Sequence, residues 1–433
     1  MPIAITDVTL YDFEQFIEDG YIVFDETILE VGRMADFKAG DNTCIDGRGH
    51  WVMPGLVCGH THIYATFARG LALPFNPVDF QDILDQLWWK VDRHLTLESI
   101  YQSGLVSGMD FLKNGITTVI DHHASGEVKG ALKQLQRALT ETLPMRAVLA
   151  FETSDRFDVA SAIAENTQAI EQQVPTKMAA LFGLHASMSL SESTLKAVKA
   201  VLGDHPIHIH VAESSLDQQQ ALHHYGERVV ERLDRHGLLN PGSILTHAIH
   251  VDDHELKRIQ ERGCVIAVNV SSNMNNSVGL PDIPAFLNLD IPVILGNDGL
   301  SFGMAHEYLN LVYAMHHKKN SPTSLDLGDL QRMIRQTYTY ASERLGIELG
   351  VLRQDAAADL LMIPYTAPTP LDETNAFGHL FYGLFNAFKP KHVFTSGKQV
   401  VRDYDLSDAH QKLYAEAKHE AEKLWNRIRE EAE

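Results

Sequence analysis

The segment Trp51-Val-Met-Pro-Gly-Leu-Val-Cys-Gly-His-Thr-His62 passes from predominantly apolar residues straight into two histidines. Its first eight residues, Trp51–Cys58, lack polar alternation, the pattern of a strand buried on both faces as in a parallel sheet. Seven runs of the same texture follow, at Thr117–Asp121, Ala147–Phe151, Ala179–Leu184, Ile207–Val211, Ser243–Thr246, Val265–Val270 and Val293–Leu295. Helical patterns lie between them, at Leu97–Lys113, Ser191–Leu202, Leu216–His236, Asp253–Arg262 and His306–His317. Lys113-Asn-Gly and Arg262-Gly are helix stop signals. Eight strands alternating with helices predict an α/β chain whose residues 51–354 form a (β/α)8 TIM-type barrel.

Outside this region the texture changes. Short alternating segments, Ile3–Tyr11, Tyr21–Phe24, Thr27–Val31 and Asn42–Ile45, are separated by Gly and Asp turns, and similar segments return at Asp359–Pro364 and His392–Arg402. Neither end can bury a core alone, and a closed barrel leaves both ends on the same side. Residues 1–50 and 355–405 are therefore predicted to form one smaller β-sandwich domain. Residues 406–433 carry the charge-laced amphipathic stretch Ser407–Glu430, which predicts a C-terminal helix on the surface.

Composition excludes several classes of function. The 433 residues are 45% hydrophobic and 21% charged, ordinary globular usage that fits neither a disordered nor a fibrous chain. Lys and Arg total 36 against 57 Asp and Glu, a net charge of −21 that repels phosphate backbones and anionic lipid, so no nucleic-acid or membrane partner is expected. No apolar run reaches the roughly 18 residues of a membrane span, and the N-terminal MPIAITDVTLYDFEQ lacks a basic, apolar leader. Cys44, Cys58 and Cys264 make no disulfide framework, which fits a cytoplasmic protein. The 23 histidines stand out, because many end the apolar runs.

In a barrel of this kind the chemistry sits at the C-terminal ends of the strands. The first run ends in His60-Thr-His62, whose two-residue spacing on extended chain puts both imidazoles on one face. The fifth reads Ile207-His208-Ile-His210-Val-Ala-Glu213, the sixth ends at Thr246-His247 and the eighth at Gly296-Asn-Asp298-Gly. Imidazole nitrogens with one carboxylate oxygen suit a divalent ion such as Zn²⁺ or Fe²⁺, with a position left open for water. His185 tops the fourth run, and His122 and His123 top the second, where at least one is expected to face the pocket. His208 lies one layer deeper than His210, as support for the site or as core packing. Arg69, Trp88 and Trp89 fall where the loop after the first strand covers the mouth, the tryptophans either stapling that loop or stacking on a heterocycle. Cys58 reads as a buried inert thiol, and His316-His317 as helix surface.

Taken together these motifs resemble the amidohydrolase superfamily, in its cytosine deaminase and chlorohydrolase-like branch, and within it the SsnA-like aminohydrolases. The resemblance covers essentially the whole chain. It rests on Pro54-Gly-Leu-Val-Cys-Gly-His-Thr-His62 followed by Arg69-Gly70, on Phe182-Gly-Leu-His185, His210-Val-Ala-Glu213, Thr246-His247 and Leu295-Gly-Asn-Asp298-Gly, with Trp88-Trp89 and Ile120-Asp-His-His-Ala124 pointing to the SsnA-like subgroup. It implies metal ligands His60, His62, His210 and Asp298, catalytic roles for Glu213, His247 and Asp298, and substrate contacts from Arg69, Trp88, His123 and His185. Binuclear relatives bridge two metals with a carboxylated lysine, and the runs ending at Glu152 and His185 supply none, so one metal is expected, zinc ahead of iron. Ala65 stands where several purine-type relatives carry a glutamine, which argues against guanine-like recognition.

The implied activity is hydrolytic deamination of a small aromatic N-heterocycle, a purine or pterin derivative among the candidates. Hydrolysis of another leaving group, by a chlorohydrolase or a cyclic amidase, uses the same apparatus. A non-catalytic assembly subunit is the third class, disfavoured by the intact ligand motif. A chain of this family and size is expected to form at least a homodimer.

Overall fold

The computed structural model describes residues 1–432. The first apolar run divides at Pro54-Gly55. His50–Pro54 pairs antiparallel with Leu360–Pro364, Trp51 opposite Ile363, while Leu56–Thr61 enters the barrel beside Ile116–His123. Gly55 N–H donates to the Asp359 carbonyl (2.7 Å) and Leu56 N–H to that of Gly115 (2.8 Å), so the chain changes sheets within two residues.

The barrel ladder runs in two parallel arcs. One joins Leu56–Thr61, Ile116–His123, Arg146–Phe151 and Met178–Ala180; the other joins Phe182–Ala186, Ile207–Val211, Ile244–His247, Val265–Val268 and Val293–Leu295. The fourth run is thus interrupted at Leu181, and each half pairs with a different neighbour. Thr153 and Leu184 bridge the arcs on that side. On the other side Asn297 N–H donates to the His60 carbonyl (2.9 Å). A Cβ at Gly296 would lie 2.5 Å from that carbonyl oxygen, so the seam closes only around a glycine.

Helices cover the outside. Leu97–Lys113 is capped by Thr96, which accepts from Ser99 N–H. The helix expected over Leu216–His236 is two, Ser215–Tyr225 and Val229–Arg235, because Gly226 turns left-handed (φ 71°) and ends the first. The C-terminal helix, Asp408–Ala432, packs on Leu97–Lys113: Tyr414 donates to Asp110 (2.9 Å), and Trp425 Nε1–H donates to the Phe67 carbonyl (2.7 Å). Among the described residues no helix is long and apolar enough to cross a membrane.

Both chain ends build one nine-stranded sheet in which Ile3–Tyr11 and His50–Pro54 are central and Leu360–Pro364, His392–Thr395 and Lys398–Arg402 extend one side. It has its own core, including Ile5, Val8, Ile22, Phe24, Leu360 and Phe394. A buried ion pair joins it to the barrel, Arg146 Nε to Asp359 Oδ2 at 2.8 Å.

Candidate active site

Strand alternation brings the expected side chains into one cluster at the C-terminal mouth of the barrel. His60 lies on the first strand and His62 follows its end, still extended (φ −119°), so both rings point inward. His208 and His210 alternate in the same way on Ile207–Val211. His247 and Asp298 end the sixth and eighth strands in left-handed backbone (φ 73° and 57°), a conformation non-glycine residues rarely hold and one concentrated at functional sites.

The tautomers define what the cluster lacks. His62 Nδ1–H donates to the His122 carbonyl (2.6 Å) and His210 Nδ1–H to that of His185 (3.0 Å). Each Nε2 is left with a lone pair, and the two face one another at 3.2 Å with no proton between them. Asp298 Oδ1 stands 3.0 Å from His60 Nε2 and 3.2 Å from His62 Nε2. Lone pairs and a carboxylate converging without a cation are the donor set of a divalent metal. Donor atoms of His60, His210, His247 and Asp298 all lie within 4.8 Å of one another. His62, His122 and His210 form a second such group, which shares His210 with the first, so the two adjoin at one place. His208 Nε2 sits 2.9 Å from His60 Nδ1, placing His208 directly beneath that ring.

Electrostatics separate the two carboxylates of the cluster. Burial raises Asp298, but the charge of His247 and the hydrogen bonds of His60 and His62 outweigh it and hold this carboxyl well below its usual range. Burial, reinforced by the negative charge of Asp298, pushes Glu213 well above its usual range. For His62 burial works downward, yet the hydrogen bond and charge of Asp298 reverse it and the pKa is raised. Burial lowers His60 and His210, and takes His247 down to about 3. The Asn273 amide donates to His247 Nδ1 (2.9 Å), which leaves the ring proton on Nε2, 3.5 Å from Glu213 Oε2 and 3.9 Å from Asp298 Oδ2. Ser272 donates to Asp298 Oδ2 (2.5 Å).

A cavity of about 340 Å³ opens above the cluster. Arg69, Trp88, Trp89 and His185 line it as expected, with His62, His210, Glu213 and Asp298 at its base. His123 does not line it. That side chain is fully buried against Phe151, and Tyr64, whose ring packs edge-on to His123 (5.7 Å between centroids), takes the place on the cavity wall. His122 is buried as well, its Nε2–H donating to the Leu184 carbonyl (2.9 Å), so neither histidine of the pair faces the cavity. Cys58 is buried, which pushes its thiol up to about 12. Sequence reasoning missed Asp92, Glu152 and Arg156, which form one ion-pair cluster in the wall, and missed Asn273, which sets the His247 tautomer. Glu152 carried a signal, as the residue that ends the third run; the others sit in irregular or helical segments with no motif around them.

Comparison with known proteins identifies the family. The family model described as "Amidohydrolase family" matches residues 51–400. The 5'-deoxyadenosine deaminase of Methanopyrus kandleri is 27% identical over 422 residues, covering 92% of this chain and 93% of its own length. The 5-methylthioadenosine/S-adenosylhomocysteine deaminase of Thermococcus sibiricus is 26% identical over 395 residues, covering 84% and 89%. An adenosine deaminase structure from Xanthomonas campestris superposes with a TM-score of 0.84 at 21% identity over 99% of this chain and 98% of its own. An atrazine chlorohydrolase structure from Arthrobacter aurescens superposes with 0.81 at 22% identity over 97% and 100%. With the family match running from the first barrel strand into the closing strands of the small domain, the chain belongs to the amidohydrolase family and is a hydrolase of carbon–nitrogen bonds.

Proposed function

We propose that the protein is a metal-dependent deaminase of an aminated purine nucleoside or a closely similar heterocycle. The observation that carries this reading is geometric: the His60, His62, His210 and Asp298 donors converge at the base of one cavity with Glu213 and His247 beside them, and the surroundings shift Glu213 up and Asp298 down. The relatives named as deoxyadenosine and methylthioadenosine deaminases favour a purine nucleoside, and about 340 Å³ accommodates a base with its sugar. His60, His62, His210 and Asp298 would hold one divalent ion. Zinc is the first choice, in keeping with the bound zinc of the Xanthomonas adenosine deaminase structure. When bound, such an ion supplies the positive field that makes water acidic near neutral pH.

The remaining steps belong to side chains. Asp298 takes the proton of the attacking water. Glu213 donates its proton to the ring nitrogen next to the amino-bearing carbon, which draws electrons from that carbon as hydroxide adds. His247 Nε2–H donates a hydrogen bond to the added oxygen. Asp298 then gives its proton to the amino group, which leaves as ammonia, while Glu213 recovers a proton from the hydroxyl as the ring carbonyl forms.

The test is ammonia release by zinc-loaded protein from adenosine, 5'-deoxyadenosine, aminopterins and aminotriazines, with a chlorotriazine as the arm for another leaving group. Ammonia from the adenosines is expected. Chloride release without ammonia would overturn the reading.

A further inference from the structure

The imidazoles that reach the metal centre from the first and fifth strands are not all held in the same way. A neutral histidine binds a metal through Nε2 only with its proton on Nδ1, so each such ring needs a hydrogen-bond acceptor behind it. For His62 and His210 the acceptors are backbone carbonyls at strand ends, those of His122 (2.6 Å) and His185 (3.0 Å). His60 lies deeper, within the strand Leu56–Thr61, where carbonyls lie in the plane of the sheet and bond to neighbouring strands. A ring pointing into the barrel at that level can be met only by another side chain.

That side chain is His208. It stands two residues before His210 on Ile207–Val211, which puts it on the same inward face roughly 6–7 Å deeper. Its Nε2 is 2.9 Å from His60 Nδ1, and the rings meet edge to face at 72° with 5.0 Å between centroids. His122 also packs against it, 4.8 Å from centroid to centroid. His208 is fully buried and no carboxylate is paired with it among the described residues, so the ring is held neutral, with one nitrogen free to accept. Its Nδ1 has no partner among the described residues, so the hydrogen bonding of this ring serves His60. We propose that His208 is a positioning residue of the metal centre: it accepts the Nδ1–H of His60 and so keeps the Nε2 lone pair of His60 turned to the metal. This rests on the reading of His60 as a ligand given above. Both histidines of His208-Ile-His210 then serve one ion, His210 by binding it and His208 through His60.

The test removes the acceptor and then restores it. Zinc affinity is measured by competition with a chelator, and the melting temperature of the zinc-free protein is recorded beside it. His208→Leu fills similar space without an acceptor and should hold zinc about 10–100-fold more weakly, the usual cost of losing such a partner. His208→Gln offers its carbonyl oxygen Oε1 to the same Nδ1–H and should stay within about threefold of the parent. A His208→Leu variant that also stays within about threefold overturns the proposal, and so does an equal loss in both variants, since packing alone would then explain it. If His208→Leu does not fold, nitrogen NMR spectra of the histidine-labelled, zinc-loaded parent decide, with the His208 signals assigned by their loss in His208→Gln. His208 should carry its proton on Nδ1, and a proton on Nε2 overturns the proposal. A parent that binds no zinc overturns the metal reading as well, whereas each of the other outcomes leaves that reading standing.

Discussion

The base and the upper wall of the cavity use similar acidic side chains and arrive at opposite electrostatic states. In the wall, Asp92 and Glu152 have their cation from the chain itself, with Arg156 between them. At the base, Asp298 has only imidazoles for neighbours, with His60 Nε2 at 3.0 Å and His62 Nε2 at 3.2 Å and no lysine or arginine ion-paired to it among the described residues. A carboxylate beside an arginine is a finished, rigid structure, whereas a carboxylate among neutral imidazoles is an open demand for a cation. The difference teaches which buried charges of this protein are structural and which are waiting for a partner.

The largest effect should come from breaking the base. Asp298→Asn removes the one carboxylate of the proposed ligand set, so metal retention by elemental analysis and turnover should both collapse, with activity down by more than about 10²-fold. Zinc retention by the parent should weaken as the pH falls, since the raised pKa of His62 makes a proton compete for the same lone pair, and zinc binding should release protons measurable by calorimetry across buffers.

Glu213→Gln sharpens the comparison within the base. The amide cannot transfer a proton but holds nearly the same space, so the metal should stay and turnover should fall about 10²–10⁴-fold, the usual worth of general acid–base catalysis. An emptied metal site, or turnover within about threefold of the parent, would make Glu213 a ligand or a bystander.

Arg156→Met breaks the wall instead. It leaves Asp92 and Glu152 buried together without their cation, a change that costs about 3–5 kcal/mol in comparable buried pairs. Thermal or urea unfolding should report the loss, with zinc content unchanged. A variant as stable as the parent would mean that burial holds one of these carboxyls protonated, in line with the upward shift of Asp92 to about 6.

These expectations differ in how far they could be read before the structure. The barrel was legible because strands buried on both faces leave long apolar runs, and His60, His62, His210, Glu213, His247 and Asp298 were legible because each ends or follows such a run. Two of those runs were legible as strands but not as single strands: Pro54-Gly55 and Leu181 divide them between partners, and pairing across long sequence separations leaves no local mark. His123 illustrates the same limit. Its neighbour relation to Tyr64 and Phe151 is a packing fact, invisible in the Asp-His-His motif that made it a candidate. Asp92 and Arg156 are 64 residues apart and meet only because separate loops fold over one mouth.

The smallest effect concerns a single proton. The His247 ring faces Glu213 and Asp298 through Nε2, and whether that atom is a donor or a ligand depends on Nδ1 on its far side. The Asn273 amide donates to Nδ1, so Nε2 bears hydrogen and His247 belongs with the hydrogen-bonding groups of the base. Asn273→Asp reverses this at nearly constant shape. A carboxylate accepts from Nδ1–H, which moves the lone pair to Nε2 and creates the carboxylate–histidine pairing that strengthens metal ligation. The variant should therefore hold zinc about tenfold more tightly against a chelator while turnover falls about tenfold, because the added oxygen loses a hydrogen-bond donor. Asn273→Ala separates the two effects: it frees the tautomer without choosing the other, so turnover should fall less and zinc affinity should stay near that of the parent. Equal losses of zinc in both variants would mean that Asn273 only packs the sixth strand end, and that the His247 proton is fixed by Glu213 and Asp298 alone.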